Sequence, residues 1–288
     1  FGFPFYLINA ETDFKRHVVD YFLAEYASGR TPNPCTACNH HIKFDFLLRR
    51  AMALDAEFLA TGHYAGLRRH EDGTVELLKA ADEAKDQSYM LYMLGQERLR
   101  RLMFPLGHLT KAQVRAEAER LRLPVANKPE SQDICFVGND YRDFLARHIP
   151  QAIAPGELVD TAGNVVGRHG GLPLYTIGQR SGLNLARPER SYVVALQPEA
   201  NRIVVGQEPD LLRHAVRVRQ PAFNVEPPTP ERALAAKVRS HGQLAACRLE
   251  RQGDYVDVRF EEPQLAVSPG QIIVFYDGDV VVGGGIID

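Results

Sequence analysis

Apolar positions in the first half of the chain recur mainly at helical spacing. Phe14, Val18, Tyr21, Phe22 and Tyr26 fall three to five apart, which predicts a helix over 12–28 with Asp13 available as its cap and Gly29 as its stop. The stretch from Thr31 to Asn39, with two prolines and two cysteines, reads as a loop, and 42–54 reads as the next helix. Glu57 to Thr61 is a short apolar run suited to a buried strand. Thr110 and Gln113 form a capping box for a helix over 110–122, with Val114, Ala118 and Leu121 on one face. Strand and helix patterns in alternation predict a parallel α/β sheet. The opening FGFPFYLINA, dense in apolar residues from Phe1 to Ile8, reads as a strand entered in mid-domain.

The pattern changes after Pro150. Glycines and prolines become frequent, and the apolar period shortens to two. Tyr192 to Leu196 and Arg202 to Val205 flank a turn at 197–201, Leu249 to Phe260 pivots on Gln252-Gly253, and Gln271 to Tyr276 and Asp279 to Val282 flank Asp277-Gly278. These predict a small all-β sandwich or barrel at the C-terminal end. At 288 residues, two domains, or three small ones, are expected.

Charge and cysteine content narrow the classes. Lys plus Arg is 34 against 36 Asp plus Glu, which excludes a globally basic coat but not a basic face. Between Arg213 and Arg251 lie eight Lys or Arg against three acids, and Arg98, Arg100, Arg101, Arg115, Arg120 and Arg122 form a second group. Two such patches could clamp a polyanion between domains, or could be solvated surface charge. Four cysteines are too few for a disulfide scaffold. No apolar run approaches the roughly 18 residues needed to span a bilayer, and the opening FGFPFYLINAETDF shows no basic n-region and no small-residue cleavage site of a secretory signal, so a cytoplasmic location is expected.

The sharpest local feature is Cys35-Thr36-Ala37-Cys38. Such a pair is redox-active, metal-binding or accidental. A structural zinc site needs four ligands, and no second pair exists; His40 and His41 are close, but adjacent side chains are expected to point apart. A Pro-bounded loop ahead of a helix favours a reactive thiol, its thiolate stabilised by the helix N-terminus. Cys135, beside Ile134 and Phe136, and Cys247, between Ala246 and Arg248, read on their own as small core residues. Thr61-Gly62-His63-Tyr64 follows a strand, where open α/β sheets bind ligands, or is a structural turn. Lys85-Asp86-Gln87-Ser88 is a polar cluster or an ordinary helix start.

Taken in order, the blocks GRTPNPCTACNHHIKF (29–44), ATGHYA (60–65), KDQSYMLY (85–92), FPLGHLTKAQVR (104–115), SQDICFVG (131–138), PGELVD with LPLYTIGQRSGL (155–183) and SPGQIIVFYDGDVVVGGGII (268–287) resemble the bacterial tRNA-specific 2-thiouridylase family from end to end. The resemblance implies a PP-loop domain of the adenine-nucleotide α-hydrolase type over 1–138, N-terminally incomplete. It implies a central tRNA-binding domain over 139–206 and a C-terminal β-barrel over 207–288. It implies ATP-dependent 2-thiolation of the wobble uridine of tRNA. ATP with Mg2+ adenylates the C2 oxygen so that AMP can leave, and sulfur arrives as a cysteine persulfide, released by a second thiol.

By resemblance Cys135 is the persulfide carrier and Cys38 the nucleophile that completes a disulfide. Gly62 contacts nucleotide. Asn33, Pro34 and Cys35 touch the target base, which must leave its stack to arrive there. His63, Lys85, Asp86, Gln87, Arg239, Ser240 and Gln271 contact tRNA. A persulfide sulfur donor or relay protein is the implied partner of a monomeric enzyme. The 96 residues between Cys38 and Cys135 suggest that a segment moves during the cycle, because a disulfide needs Cα atoms within about 7 Å.

Three departures stand out. No Ser-Gly-Gly occurs, so the family's Ser-Gly-Gly-x-Asp-Ser phosphate loop is absent and the chain starts at Phe1; a missing N-terminal segment is expected, and this chain alone is expected to adenylate poorly. Cys35 stands where some members carry Asp, and Ser240 where some carry an aromatic. Two further readings remain: a truncated, non-catalytic tRNA-binding remnant, and a zinc protein using Cys35, Cys38 and a nearby His.

Overall fold

The computed structural model describes residues 2–128, 134–138, 140–185 and 190–288. The first helical stretch runs as α-helix Glu11–Phe14, π-helix Lys15–Val19 and α-helix Asp20–Ala27. It ends where Gly29 adopts φ +68°, a conformation that favours glycine. The next helix begins earlier than the sequence suggests. Asn33 caps it, its side-chain oxygen accepting from Thr36 N at 3.1 Å, and Pro34 takes the first helical position. Winding continues as Pro34–Ala37, a π-helix over Cys38–Leu47, and Leu48–Met52. The predicted loop at 31–39 is therefore helical from Pro34 onward, and both cysteines of the pair lie on that helix. Residues 2–10 form no strand, and Phe3, Phe5 and Leu7 are exposed. The helix Lys111–Arg120 carries both bonds of its capping box.

Short strands follow the two helical stretches: β1 (Leu59–Ala60), β2 (Gly66–Arg69), β3 (Val75–Leu78) and β4 (Leu102–Met103). Strands β1 and β4 pair in parallel, the described part of the expected parallel sheet. A four-stranded sheet follows, built from β5 (Gly156–Asp160), β6 (Val165–His169), β7 (Tyr192–Gln197) and β8 (Arg202–Gly206), in the order β6-β5-β8-β7. The turn between β7 and β8 closes on Asn201 at φ +46°.

The remaining strands are β9 (Leu212–Phe223), β10 (Leu234–Lys237), β11 (Ala245–Gln252), β12 (Tyr255–Leu265), β13 (Ile272–Asp277) and β14 (Val280–Ile287). They close on themselves in the order β13-β10-β11-β12-β9-β14, with β14 pairing back to β13. This is a six-stranded barrel, and β3 and β2 extend it from β14. Closure leaves those six strands without a free edge.

Strand β13 shows how the barrel meets the helical region. Its side chains alternate between faces. Ile273 and Phe275 fill the barrel with Val218, Leu249, Val258 and Val282. Ile272, Val274 and Tyr276 face outward and are equally buried, against Phe44, Leu77, Tyr89 and Leu102. Tyr89 donates its hydroxyl to Ile272 O at 2.6 Å. Glu25 adds an ionic tie: buried on the first helical stretch, it accepts from Arg30 at 2.8 Å and from Arg219 of β9 at 2.9 Å.

Candidate functional site

Three free thiols converge beside the second helical stretch. Cys35 and Cys38 are one turn apart on it, and Cys135 comes from the far side of the chain. The placement of Cys135 follows from its neighbours. Phe136 inserts between Phe14 (5.7 Å between ring centroids), Phe22 (5.4 Å) and Phe144 (5.5 Å), all edge-on. Val137 joins the same buried cluster with Phe22, Tyr26 and Leu145. Anchored by Phe136 and Val137, Cys135 stands exposed and near enough for its charge to act on both Cys35 and Cys38. Ser131, Gln132 and Asp133, the first residues of the SQDICFVG block, lie outside the described residues, as does Pro129.

The electrostatics reverse one expectation. The helix N-terminus was expected to favour a thiolate. Instead partial burial pushes both Cys35 and Cys38 above the ordinary thiol value, and mutual repulsion with Cys135 adds to it; Lys43 alone pulls the other way. Sequence reading missed Lys43, which sits in the block NHHIKF. It lies five residues beyond Cys38, and the π winding turns it toward that cysteine.

His63 also borders this group. Its ring packs on Phe44 (5.4 Å) and Phe104 (6.0 Å), and Nδ1 lies 2.8 Å from Thr61 Oγ1. Burial first, and then Lys43, lowers it to about 4, so His63 is neutral at pH 7. At Gly62 an added Cβ would meet only Leu106, at 3.7 Å, so protein packing does not demand glycine there.

His40 and His41 do not point apart as expected. Their rings stack at 4.5 Å, and His41 stacks in turn on His17 at 4.6 Å. The three border a cavity of about 380 Å3 that Asn33, Arg16 and Arg219 also line. Burial, then repulsion from His41 and Arg98, lowers His40 to about 4. Among the described residues no group of three His, Cys, Asp or Glu is placed to hold a metal ion, so the zinc arrangement is not formed there.

The other predicted positions divide between two further cavities and local structural bonds. Gln271 donates to the carbonyls of Thr31 (2.9 Å) and Pro32 (3.4 Å), pinning the chain just ahead of Asn33. Gln271 and Arg239 line one cavity of about 450 Å3, with Thr31 and Gly178; Arg239 donates to Ala266 O at 2.6 Å. Asp86 and Ser240 line another of about 360 Å3, with Lys79 and Lys237. Asp86 accepts from Ala80 N, Ser88 N and Ser88 Oγ. Gln87 accepts from Tyr64 N at 3.0 Å, tying its segment to the Gly62–Tyr64 turn. Lys85 belongs to the same segment, in the short 3-10 turn Glu83–Lys85. No helix among the described residues is long and apolar enough to cross a membrane.

Family profiles match the chain in three blocks: a tRNA methyl transferase HUP domain over residues 1–139, a tRNA methyl transferase PRC-barrel domain over 142–207 and an aminomethyltransferase β-barrel domain over 213–287. The chain is also similar to proteins named tRNA-specific 2-thiouridylase MnmA. One from Roseiflexus sp. (strain RS-1) is 50% identical over 307 residues, covering 99% of this chain and 82% of the relative. One from Roseiflexus castenholzii is 50% identical over 305 residues, with the same coverage. One from Carboxydothermus hydrogenoformans is 47% identical over 291 residues, covering 100% of this chain and 80% of the relative. With half its residues shared over four fifths of such relatives, the chain belongs to the tRNA-specific 2-thiouridylase family.

Proposed function

We propose that this chain is a tRNA sulfurtransferase that places sulfur on carbon 2 of a wobble uridine, and that its three converging thiols carry the sulfur. The convergence of Cys35, Cys38 and Cys135 on one side of the molecule is the observation that supports the reading most. Two residues 97 positions apart would not be held together by chance beside a neutral histidine and a lysine.

The chemistry assigns a role to each. ATP, when bound, supplies a leaving group by adenylating the C2 oxygen. Cys135 carries the persulfide, and its terminal sulfur attacks C2 as AMP departs. Cys38, as thiolate, then attacks the Sγ of Cys135. The S–S bond breaks with its electron pair staying on the transferred sulfur, and a Cys38–Cys135 disulfide remains for an external thiol to reduce. Asn33, Pro34 and Cys35 receive the extruded base, and the adjacent cavity gives it room. Gly62 leaves space for nucleotide to approach its backbone. The chain contains no Ser-Gly-Gly loop for the pyrophosphate, and the described residues present no ready cluster for Mg2+, so no step of this account runs through the metal. His63, Lys85, Asp86, Gln87, Arg239, Ser240 and Gln271 line the path of the tRNA. A persulfide donor or relay protein loads Cys135.

The test is a thiolation assay with unmodified tRNA, Mg-ATP and a persulfide source, read as 2-thiouridine by nucleoside mass analysis. It is run on this chain and on a version extended with a relative's N-terminal segment. Thiouridine that disappears in Cys135→Ser and in Cys38→Ser supports the reading. If neither version forms it while tRNA still binds with a steep salt dependence, the chain is a tRNA-binding remnant.

A further inference from the structure

The helix that bears Cys38 is wound unusually. An α-helix has about 3.6 residues per turn, so position i+5 is turned well away from position i. In a π-helix, with its i→i+5 hydrogen bonds, residue i+5 is turned nearer to the side of residue i than α winding allows, and such winding recurs at functional sites. The π segment begins at Cys38 and continues to Leu47, and Lys43 is the fifth residue on from that cysteine. The winding thus carries Lys43 onto the thiol face. Phe44, its neighbour, is fully buried and packs on His63, which fixes this part of the helix against the Gly62–Tyr64 turn.

Three observations isolate Lys43 as the cation of the site. Its charge reaches Cys35, Cys38 and His63 together. It has no carboxylate partner among the described residues. His63, which Lys43 also faces, is neutral at pH 7. Against Lys43 stand burial and the repulsion among three thiols.

We propose that Lys43 is a positioning residue of the sulfur-transfer site, whose ammonium eases the ionisation of Cys38 against burial and steadies the thiolate that attacks the Sγ of Cys135. The inference rests on the sulfurtransferase reading above and deepens it. Lys43 exchanges no proton and forms no bond in the step. The new S–S bond joins Cys38 to Cys135, the old S–S bond breaks toward the transferred sulfur, and Lys43 offsets the negative charge while it sits on Cys38.

The test reads the thiol directly. Cys38 is alkylated with iodoacetamide across a pH series, and its peptide is followed by mass spectrometry in the parent, Lys43→Met and Lys43→Arg. Lys43→Met keeps the apolar stem and removes the charge. The rate at pH 7 should fall about tenfold, equivalent to a rise of about one unit in the midpoint, and Lys43→Arg should restore it. Salt provides a second measurement that needs no variant: in the parent, 1 M KCl should raise the Cys38 midpoint by screening the ammonium. A Cys38 midpoint that moves neither in Lys43→Met nor with salt overturns the proposal. The assay uses no tRNA and no ATP. An inactive parent with a shifted midpoint therefore overturns the sulfurtransferase reading alone, and an active parent with an unmoved midpoint overturns the role of Lys43 alone.

Discussion

Cys247 and Cys38 are the same residue type in two different regions, and the regions treat them oppositely. Cys247 points into the barrel with Leu249, Val258 and Phe260, at 1% exposure, and burial pushes its thiol up to about 12. Cys38, with Cys35 and Cys135 beside it, stands at the surface of the helical region, where burial is partial and a lysine opposes it. The barrel isolates a sulfur by closing a β-wall around it. The helical region leaves sulfur accessible and brings other sulfurs to it. Reactivity here follows from placement, because the intrinsic thiol is common to both.

The sharpest way to break that comparison is to open the barrel. Phe275 is fully buried on the inner face of β13 and has no room to be replaced by collapse of a closed wall. Phe275→Ala should cost about 3–5 kcal/mol in urea unfolding. In the parent, Cys247 should resist iodoacetamide until global unfolding, and in the variant it should be modified at far lower urea. Cys38 should keep its native rate in both. Modification of Cys247 in the intact parent at the rate of Cys38 would remove the contrast.

A second experiment cuts the tie between the regions. Glu25 is buried, and Arg30 and Arg219 both donate to it across the boundary between the first helical stretch and β9. Glu25→Gln keeps the shape and removes the charge, leaving two partly exposed guanidinium groups without their anion. The cost should be about 2–3 kcal/mol, below that of breaking a fully buried pair because both arginines retain some water. Hydrogen exchange should rise over 11–27 before it rises in the barrel. Equal rises in both would show one cooperative unit in place of two regions joined by a contact.

The two regions also differ in how far the sequence discloses them. Barrel strands β11 to β14 follow from alternation and from turn residues such as Asp277-Gly278, because each strand and its partner are neighbours in the chain. Strand β9 carries no such signal: Arg213, Arg217 and Arg219 read as a charge cluster, and Gln220 at φ +51° and Pro221 interrupt its period. In the helical region the thiol pair was visible as C-x-x-C, but its helix was not. Two prolines suggested a loop, although Pro34 after Asn33 is a helix start. The nearness of Cys135 depends on Phe136 meeting Phe14 and Phe22 across more than a hundred residues, which no local pattern records. The π-winding that brings Lys43 to Cys38 is likewise invisible in the residue types.

The smallest expected effect is a pH dependence, and it tests whether His63 belongs to the packed frame of the helical region. His63 is held at about 4 by burial and by Lys43, below the ordinary value near 6.5 that it regains on unfolding. Between those values the unfolded chain binds the extra proton, so stability rises with pH. The contribution is fully present above pH 6.5 and is lost as the pH falls toward 4. At pH 5 the loss should be about 1–2 kcal/mol relative to pH 7. His40, His41 and His169 are also lowered by burial and add to the same slope, so the informative quantity is the difference between the parent and His63→Asn. The variant should lose less stability on acidification than the parent, measured as the urea midpoint at pH 7 and pH 5. Identical slopes would mean that His63 is as well hydrated in the folded chain as in the unfolded one. The stacking on Phe44 and Phe104 would then not hold the Gly62–Tyr64 turn against the helix, and the helical region would be looser around its thiols than the barrel is around Cys247.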